Sequence, residues 1–570
     1  MKDYHVKNTR LLVLGVVIFL FGAVTIGRLF WLQVLENPFY SALASRRQEV
    51  YKDLFPQRGV IYTREKEELY PLVANRDYYL VYAEPVKITD AKKVVDQLTP
   101  ILALTEEEWQ PLLTRLSDRQ DVYAPIKHKV AKKQVEQIEA LKLDGIGAVA
   151  ETYRFYPEKS IGGHIFGFVG YQNDELVGQY GLEGYFNKDL AGQAGILKSV
   201  KDAVGSLITV GPRSVKKAQN GVDLVLTIDR NVQFTACQKL KDYVSRFSAE
   251  GGSVIIMKPQ GEIIAMCSEP DFDPDKYNEV KDINFFNNPA IFNAYEPGSV
   301  YKMITMAAGI DLGKISPQTT YVDSGELKIG GFTIKNSDLQ AHGEVTMSQA
   351  LDKSLNTAAI YVEQLIGKEE FKKYVKAFGF GQKSGITLDT ESIGDISSLD
   401  KAGEIYGITA SFGQGIAVTS LQLINAFATV ANQGAMYKPY IVSEIIHPDG
   451  KKEAFTPQKI KQVITPKTAA MVTGMLISVV ENGYGNRAKV KGYYLGGKTG
   501  TAQVAGPHGG YGDKTIHTFV GFGPVSKPAF VMLTKLDNPK GPRFAESSSV
   551  PLFGELSAYL LNYYGVLPDY

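Results

Sequence analysis

Residues Leu11 to Gly27 run for seventeen positions without a charge, LLVLGVVIFLFGAVTIG, and Arg10 and Arg28 bracket the run. As a helix it would be about 26 Å long, the low end for crossing a bilayer. Leu29-Phe30-Trp31-Leu32 can extend it, with Trp31 at the interface and the Arg28 head reaching back to water. A segment like this at the extreme N-terminus, behind a basic tail, is expected to be an anchor rather than a buried soluble helix. The tail carries Lys2, Lys7 and Arg10 against Asp3. That bias favours a cytoplasmic tail and an external bulk. Cleavage is not expected, because the small-x-small site Ala42-Leu43-Ala44 lies about fifteen residues past the run.

The remaining length is too great for one core, and two to four domains are expected for 570 residues. With 62 basic against 61 acidic residues, the net charge of +1 gives no electrostatic ground for a nucleic-acid partner. The seven histidines form no HExxH, and neither Cys237 nor Cys267 has metal-ligand spacing. Two buried thiols are the expectation for the cysteines. A disulfide stays open if the domain lies outside the cell.

Past the anchor a mixed region reaches residue 220. It holds a strand-like piece at Tyr78–Ala83, a helical stretch at Ala131 to Leu141, and the Gly-rich segments GGHIFGFVG (162–170) and GQYGLEGYF (178–186). Asn220-Gly221 is a turn signal, and the character changes there. Asp229 is read as the cap of a helix from Arg230 to Ser245. Strands at 252–257 and 262–266 flank a Pro259-Gln260-Gly261 hairpin. Helices are expected at 299–312, 346–365, 368–378, 419–433 and 467–482, strands at 493–504, 516–523 and 528–536, and a last helix at 551–563. Strands at both ends with helices between them predict one sheet built from both ends of an α+β domain, with a helical subdomain inserted. The expected division is 1–35 tail and anchor, 36–220 a non-catalytic pedestal, and 221–570 the catalytic domain.

Three short motifs follow in order: Ser299-Val300-Tyr301-Lys302, Ser354-Leu355-Asn356 and Lys498-Thr499-Gly500-Thr501. By average usage Ser-x-x-Lys should occur about twice in such a chain. It recurs at Ser214/Lys217 and Ser398/Lys401, but only Ser299 follows a Pro-Gly helix start and precedes both other motifs. A serine hydroxyl needs an adjacent base to become a nucleophile. Positions i and i+3 share a helix face, which puts Lys302 beside Ser299. Lys302 serves as a base only when neutral, so burial and nearby positive charge must lower its pKa. Free N–H groups at the helix start favour a developing oxyanion. Ser354 is the expected proton relay, and Asn356 is expected to bond substrate and Lys302. Lys498 with the hydroxyls of Thr499 and Thr501 can hold a substrate carboxylate beside Gly500. The N–H groups of Ser299 and Thr501 can form an oxyanion hole. The last motif reads as an edge strand able to pair with an extended peptide.

This motif set is that of penicillin-binding proteins and serine β-lactamases. YEPGSVYK (295–302), SFGQGIAVTSLQL (411–423), NQGAMYKP (432–439), GGKTGTAQV (496–504) and HTFVGFGP (517–524) resemble the boxes of class B penicillin-binding proteins. RGVIY (58–62), YRFYP (153–157), GGHIFGFVG and GLEGYF resemble their pedestal. Glu296 of YEPGS and Phe412 of SFGQG look more like the septal, cell-division branch than the elongation branch. The chain departs from the pattern after RGVIY, where Thr63-Arg64-Glu65-Lys66 replaces the family's acidic-Arg-Asn-Gly turn.

The resemblance implies a peptidoglycan D,D-transpeptidase. Ser299 would attack the D-Ala-D-Ala amide of a stem peptide and release D-alanine. An amine of a neighbouring stem peptide would resolve the acyl-enzyme into a cross-link. β-Lactams would acylate Ser299. No metal or organic cofactor is implied, and a polytopic SEDS-type glycosyltransferase and other division proteins are the implied partners. Alternatives from the same motifs are an elongation-type transpeptidase, a carboxypeptidase or β-lactamase, and a non-catalytic β-lactam sensor or scaffold. No Glu-x-x-x-Asn follows Asn356 to position a hydrolytic water, and the pedestal is unneeded for a hydrolase.

Overall fold

The computed structural model describes residues 4–31, 49–65, 68–172, 175–200, 214–329, 331–506 and 510–570. Lys2, Asp3, Leu32, Ala42-Leu43-Ala44 and Lys66 lie outside the described residues. The chain divides into two compact units, residues 1–57 with 191–221, and residues 58–190 with 222–570.

The first unit contains helix α1 (Tyr4–Phe30). Within it Leu12–Phe30 is long and apolar enough to cross a membrane, and none of it is buried. The same unit holds a three-stranded antiparallel sheet of Glu49–Leu54, Gly195–Val200 and Ser214–Lys216.

In the second unit, Asp223–Leu226 lies parallel to Ile61–Glu65 and antiparallel to Val442–Ile446. One seven-stranded sheet therefore joins strands from both sides of residue 220. Next to it, three segments quoted above for their pedestal resemblance converge. Arg58 of RGVIY and Arg154 of YRFYP each donate from Nε to a different oxygen of Glu183 of GLEGYF, both at 2.6 Å. Glu183 has no exposed surface. Arg58 also reaches Asn187 and Arg154 reaches Asn75, so the buried charges are paired and bonded from several sides.

The catalytic part is built on a five-stranded antiparallel sheet. Helix α2 (Arg230–Arg246) leads in, its first turn capped by the Asp229 carboxylate, which accepts from Asn231 and Val232 N–H. Strands β1 (Gly251–Met257) and β2 (Ile263–Glu269) form the hairpin. Strands β3 (Gly496–Ala505), β4 (Tyr511–Gly523) and β5 (Phe530–Asp537) complete the sheet in the order β2-β1-β5-β4-β3. Both ends of the domain thus supply one sheet, with β3 on its edge. Alternate residues face opposite ways. Val254 and Ile256 enter a core with α2 and the C-terminal helix Ser549–Tyr563, whereas Ile255 and Met257 enter a larger core with the inserted helices. Helices on both faces explain why these strands read as nearly continuous apolar runs.

Two expectations change. The helix expected over 346–365 is two, Met347–Asp352 and α3 (Asn356–Ile366). They break at Ser354, whose φ of 55° is left-handed and incompatible with a continuing helix. Cys237 of α2 and Cys267 of β2 are joined in a disulfide, not free. The reason is packing: Gln233, one turn before Cys237, exchanges hydrogen bonds with the Met266 backbone in both directions, which sets α2 across β2 at that point. A helix Ile405–Ser411, not anticipated from the pattern, closes the inserted subdomain.

Candidate active site

Pro297 and Gly298 lead into a 3-10 turn, Gly298–Tyr301, which continues as the helix Lys302–Asp311. In a 3-10 turn positions i and i+3 stack, so Ser299 and Lys302 lie on one side. Gly298 takes a φ of +58°, and its N–H donates to the Gly413 carbonyl at 3.0 Å. A Cβ on Gly413 would stand 2.1 Å from the Gly298 oxygen. Only glycine there allows the SFGQG loop to lie against the Gly298–Tyr301 turn.

Strand β3 approaches the same turn. A Cβ on Gly500 would lie 2.8 Å from the Pro297 oxygen and 2.5 Å from Val300 Cγ2. Gly500 therefore acts by close approach, carrying the backbone of Thr499 and Thr501 next to Ser299. The structure brings Ser299, Ser354, Asn356, Thr499 and Thr501 to one cavity of about 1200 Å³. Ser299 is half-buried, and its hydroxyl makes no hydrogen bond among the described residues.

Lys302 and Lys498 are both without exposed surface. Lys302 Nζ donates to the Ser354 carbonyl at 2.5 Å and to Ser354 Oγ at 3.3 Å. Lys498 Nζ donates to Ser354 Oγ at 3.0 Å, and to the carbonyl and hydroxyl oxygens of Thr499. Ser354 is thus the bridge between two lysines, and its left-handed backbone is the local cost of aiming both its oxygens there. Burial, then the neighbouring Lys498 charge, push the Lys302 ammonium well below its ordinary range; Asp338 opposes them. Burial pushes Lys498 down to about 7, with the Asp352 carboxylate opposing it. Two ammonium groups so close and so dry favour a single shared proton over two.

Asn356 is placed differently from expectation. Its amide Nδ2 donates to the Lys335 carbonyl at 2.7 Å, and among the described residues it makes no bond to Lys302. The cause is local: Asn356 starts α3, and its backbone N–H is already held by Asn336, which pulls the side chain toward the 332–336 strand. Thr501 Oγ1 accepts from the Ala545 N–H at 3.0 Å, so it also fastens the segment 543–546 that forms one wall of the cavity.

Glu296, quoted above for its resemblance, accepts from the Gly415 N–H at 2.9 Å and from the Tyr511 hydroxyl at 3.0 Å, tying the segment before Ser299 to two cavity walls. Three residues of the site, Tyr511, Tyr484 and Asp338, had no sequence signal. Tyr484 and Asp338 line the cavity from loops outside every motif. Ser398 and Lys401 line it too, but the Lys401 ammonium sits over the Tyr406 ring, 5.6 Å from its centroid, and not on Ser398. Ser214 lies in the small sheet of the other unit.

A family model described as the penicillin-binding protein transpeptidase domain matches residues 252–558, and one for the penicillin-binding protein dimerisation domain matches 53–226. The chain belongs to the class B penicillin-binding proteins. Among relatives of this penicillin-binding protein, stage V sporulation protein D of Bacillus subtilis is 32% identical over 98% of the chain and 85% of the relative. The peptidoglycan D,D-transpeptidase FtsI of Escherichia coli is 26% identical over 96% and 90%. Among solved structures, penicillin-binding protein 3 of Mycobacterium tuberculosis complexed with aztreonam has a TM-score of 0.69 at 25% identity, covering 91% of this chain and 98% of the other. The fold is therefore that of the family, and the enzyme is a serine-type transpeptidase anchored to the membrane.

Proposed function

We propose that this penicillin-binding protein cross-links peptidoglycan stem peptides through a Ser299 acyl-enzyme. The observation that carries the assignment of roles is Ser354 Oγ held between Lys302 Nζ and Lys498 Nζ. Lys302, made neutral by burial, takes the Ser299 proton as Oγ attacks the penultimate D-alanine carbonyl. The oxyanion meets the backbone N–H groups of Ser299 and Thr501. The proton passes by way of Ser354 to the leaving D-alanine nitrogen, and D-alanine departs. Lys498 keeps the charge that draws the terminal carboxylate of the donor, with Thr499 and Thr501 beside it. An acceptor amine then resolves the ester. β-Lactams enter as mimics of the donor end and stay on Ser299.

The domain division that accompanies this reading is 1–35 anchor, 36–220 pedestal and 221–570 transpeptidase domain. The N-terminus is cytoplasmic, α1 is the one pass, and the catalytic domain is external, where the Cys237–Cys267 disulfide is at home. The role is septal wall synthesis during division, in company with a SEDS-type glycosyltransferase and other division proteins. The 32% identity to a protein named for sporulation supports a second reading, wall synthesis in sporulation.

A fluorescent penicillin tests the assignment. Membranes carrying the parent chain should label and hold the label, and those carrying Ser299→Ala should lose at least about 1000-fold of the acylation rate. Labelling that survives the change, or that maps to Ser398, overturns it. Release of the adduct within minutes would make the enzyme a β-lactamase.

A further inference from the structure

The second half-reaction needs an amine, and in water that amine is an ammonium ion. Two carboxylates line the Ser299 cavity, Asp338 and Glu546. Asp338 lies between the strand Phe332–Lys335 and the strand Gly343–Thr346. Its Oδ2 is 2.8 Å from His342 Nε2, and its Oδ1 accepts from the Gln340 N–H at 3.1 Å. Among the described residues neither carboxylate pairs with a lysine or arginine; the ion-pair contact of Asp338 is with His342.

Three cations line the same cavity, and among the described residues none of them is paired with Asp338 or Glu546. Lys335 is paired with Glu326 at 3.1 Å, Lys401 lies over Tyr406, and the Arg543 guanidinium is 4.9 Å from the Phe544 ring centroid. Asp338 is near enough to act on the charge of Lys302, and Tyr484 feels both Asp338 and Glu546. Asp338 thus stands near the base, and among the described residues no lysine or arginine is bound to it. The donor peptide, whose recognised end is a carboxylate, is not drawn to Asp338; an ammonium is.

We propose that Asp338, braced by His342, binds the ammonium group of the acceptor and presents it to the Ser299 acyl-enzyme. This rests on the transpeptidase reading above. The ammonium gives one proton to the Asp338 carboxylate, which passes it to solvent. The freed nitrogen lone pair attacks the acyl carbon, the N–C bond forms and the C–Oγ bond to Ser299 breaks. The second proton of the nitrogen goes to Lys302 and from there to Ser299 Oγ. Water bears no positive charge and gains no ion pair from Asp338, so the carboxylate favours aminolysis over hydrolysis.

The full-length protein in detergent is supplied with a D-alanyl thioester donor and a synthetic stem peptide bearing a free side-chain amine. The ratio of cross-linked to hydrolysed product is measured, with the N-acetylated peptide as blank and fluorescent-penicillin acylation read alongside. Losing one charge-assisted contact should lower the ratio about tenfold in Asp338→Asn. Asp338→Glu should recover part of it, and His342→Gln should fall between. Penicillin acylation reads the first half-reaction separately, and the ratio should fall by more than acylation does. An unchanged ratio overturns the proposal. So does a loss of acylation in step with the ratio, which would put Asp338 in the first half-reaction. Should Asp338→Asn lose its cooperative melt, His342→Gln is read in its place, a lower ratio supporting and an unchanged one overturning. If the parent itself fails to acylate at Ser299, the transpeptidase reading falls instead.

Discussion

Two clusters of buried charge lie in the same compact unit, and they are built on opposite plans. In the pedestal, Arg58 and Arg154 converge on Glu183, each with its own carboxylate oxygen and further amide partners. In the catalytic part, Lys302 and Lys498 converge on Ser354, a neutral hydroxyl and carbonyl, and among the described residues no carboxylate is hydrogen-bonded to either ammonium. Arginine cannot discharge, so the first cluster must be neutralised by a partner; lysine can, so the second is neutralised by losing a proton. The first plan makes a rigid joint among three distant segments. The second leaves a neutral amine, which the proposed reaction uses as its base.

Removing the carboxylate from the first cluster is the largest of the stability effects. Glu183→Gln keeps the shape but strands two buried guanidinium groups, and unfolding free energy should fall by about 3–5 kcal/mol. Urea midpoints in detergent measure it. The acylation rate of the fraction still folded should hold. A loss below about 1 kcal/mol would mean that water already reaches the joint, and the contrast between the clusters would collapse.

The catalytic cluster should respond with the opposite sign. An unfolded lysine keeps its proton to about pH 10.4, whereas burial brings Lys498 down to about 7. Between those values the unfolded chain binds more protons than the folded one, so Lys498 makes stability rise as pH goes from about 7 to about 10. Below about 7 the folded lysine is charged too, and its full penalty remains. Lys498→Met removes the penalty. It should stabilise the protein at pH 7 by about 1–4 kcal/mol and flatten the rise between pH 7 and 9, while abolishing useful acylation. Urea midpoints of parent and variant at the two pH values check both signs. A variant less stable than the parent at pH 7 would show that Lys498 holds the fold as Arg154 does.

The contrast also marks what the linear chain discloses. The order of Ser299, Ser354 and Lys498, the Pro-Gly entry and the short apolar runs of the strands were all legible, because each is a local property. The need for a depressed Lys302 was legible from chemistry alone. That Ser354 would stand left-handed and bridge both lysines was not, because 346–365 reads as one helix and the Ser354 hydroxyl meets Lys498 of β3 only in the folded chain. Asn356 misled for the same reason: Asn336, twenty residues earlier, captures its N–H and turns its amide away. The disulfide hid behind a helix-to-strand packing register. Asp338 and Tyr484 come from loops, and Tyr511 from the start of β4, none in a motif, and only the folded cavity gathers them. The pedestal boxes were visible as resemblance, and the structure supplies their physical content, a shared carboxylate.

The smallest effect belongs to the place where the chain departs from its family. Arg64, in the Thr63-Arg64-Glu65-Lys66 stretch, meets Glu444 at 3.5 Å and links the strands Ile61–Glu65 and Val442–Ile446. By residue type this pair is the equal of Arg154 with Glu183. It differs in that the Arg64 side chain is 38% exposed, against 4% for Arg154. Water and salt screen the exposed pair and its long side chains keep much of their freedom. Lys452 also reaches Glu444, at 3.4 Å, so the carboxylate keeps a cation when Arg64 is lost. Arg64→Ala should therefore cost less than about 1 kcal/mol, and the loss should vanish in high salt. If the urea midpoint instead fell as far as in Glu183→Gln, burial would not be what separates a joint from a surface contact, and the altered turn after RGVIY would be a structural element in its own right.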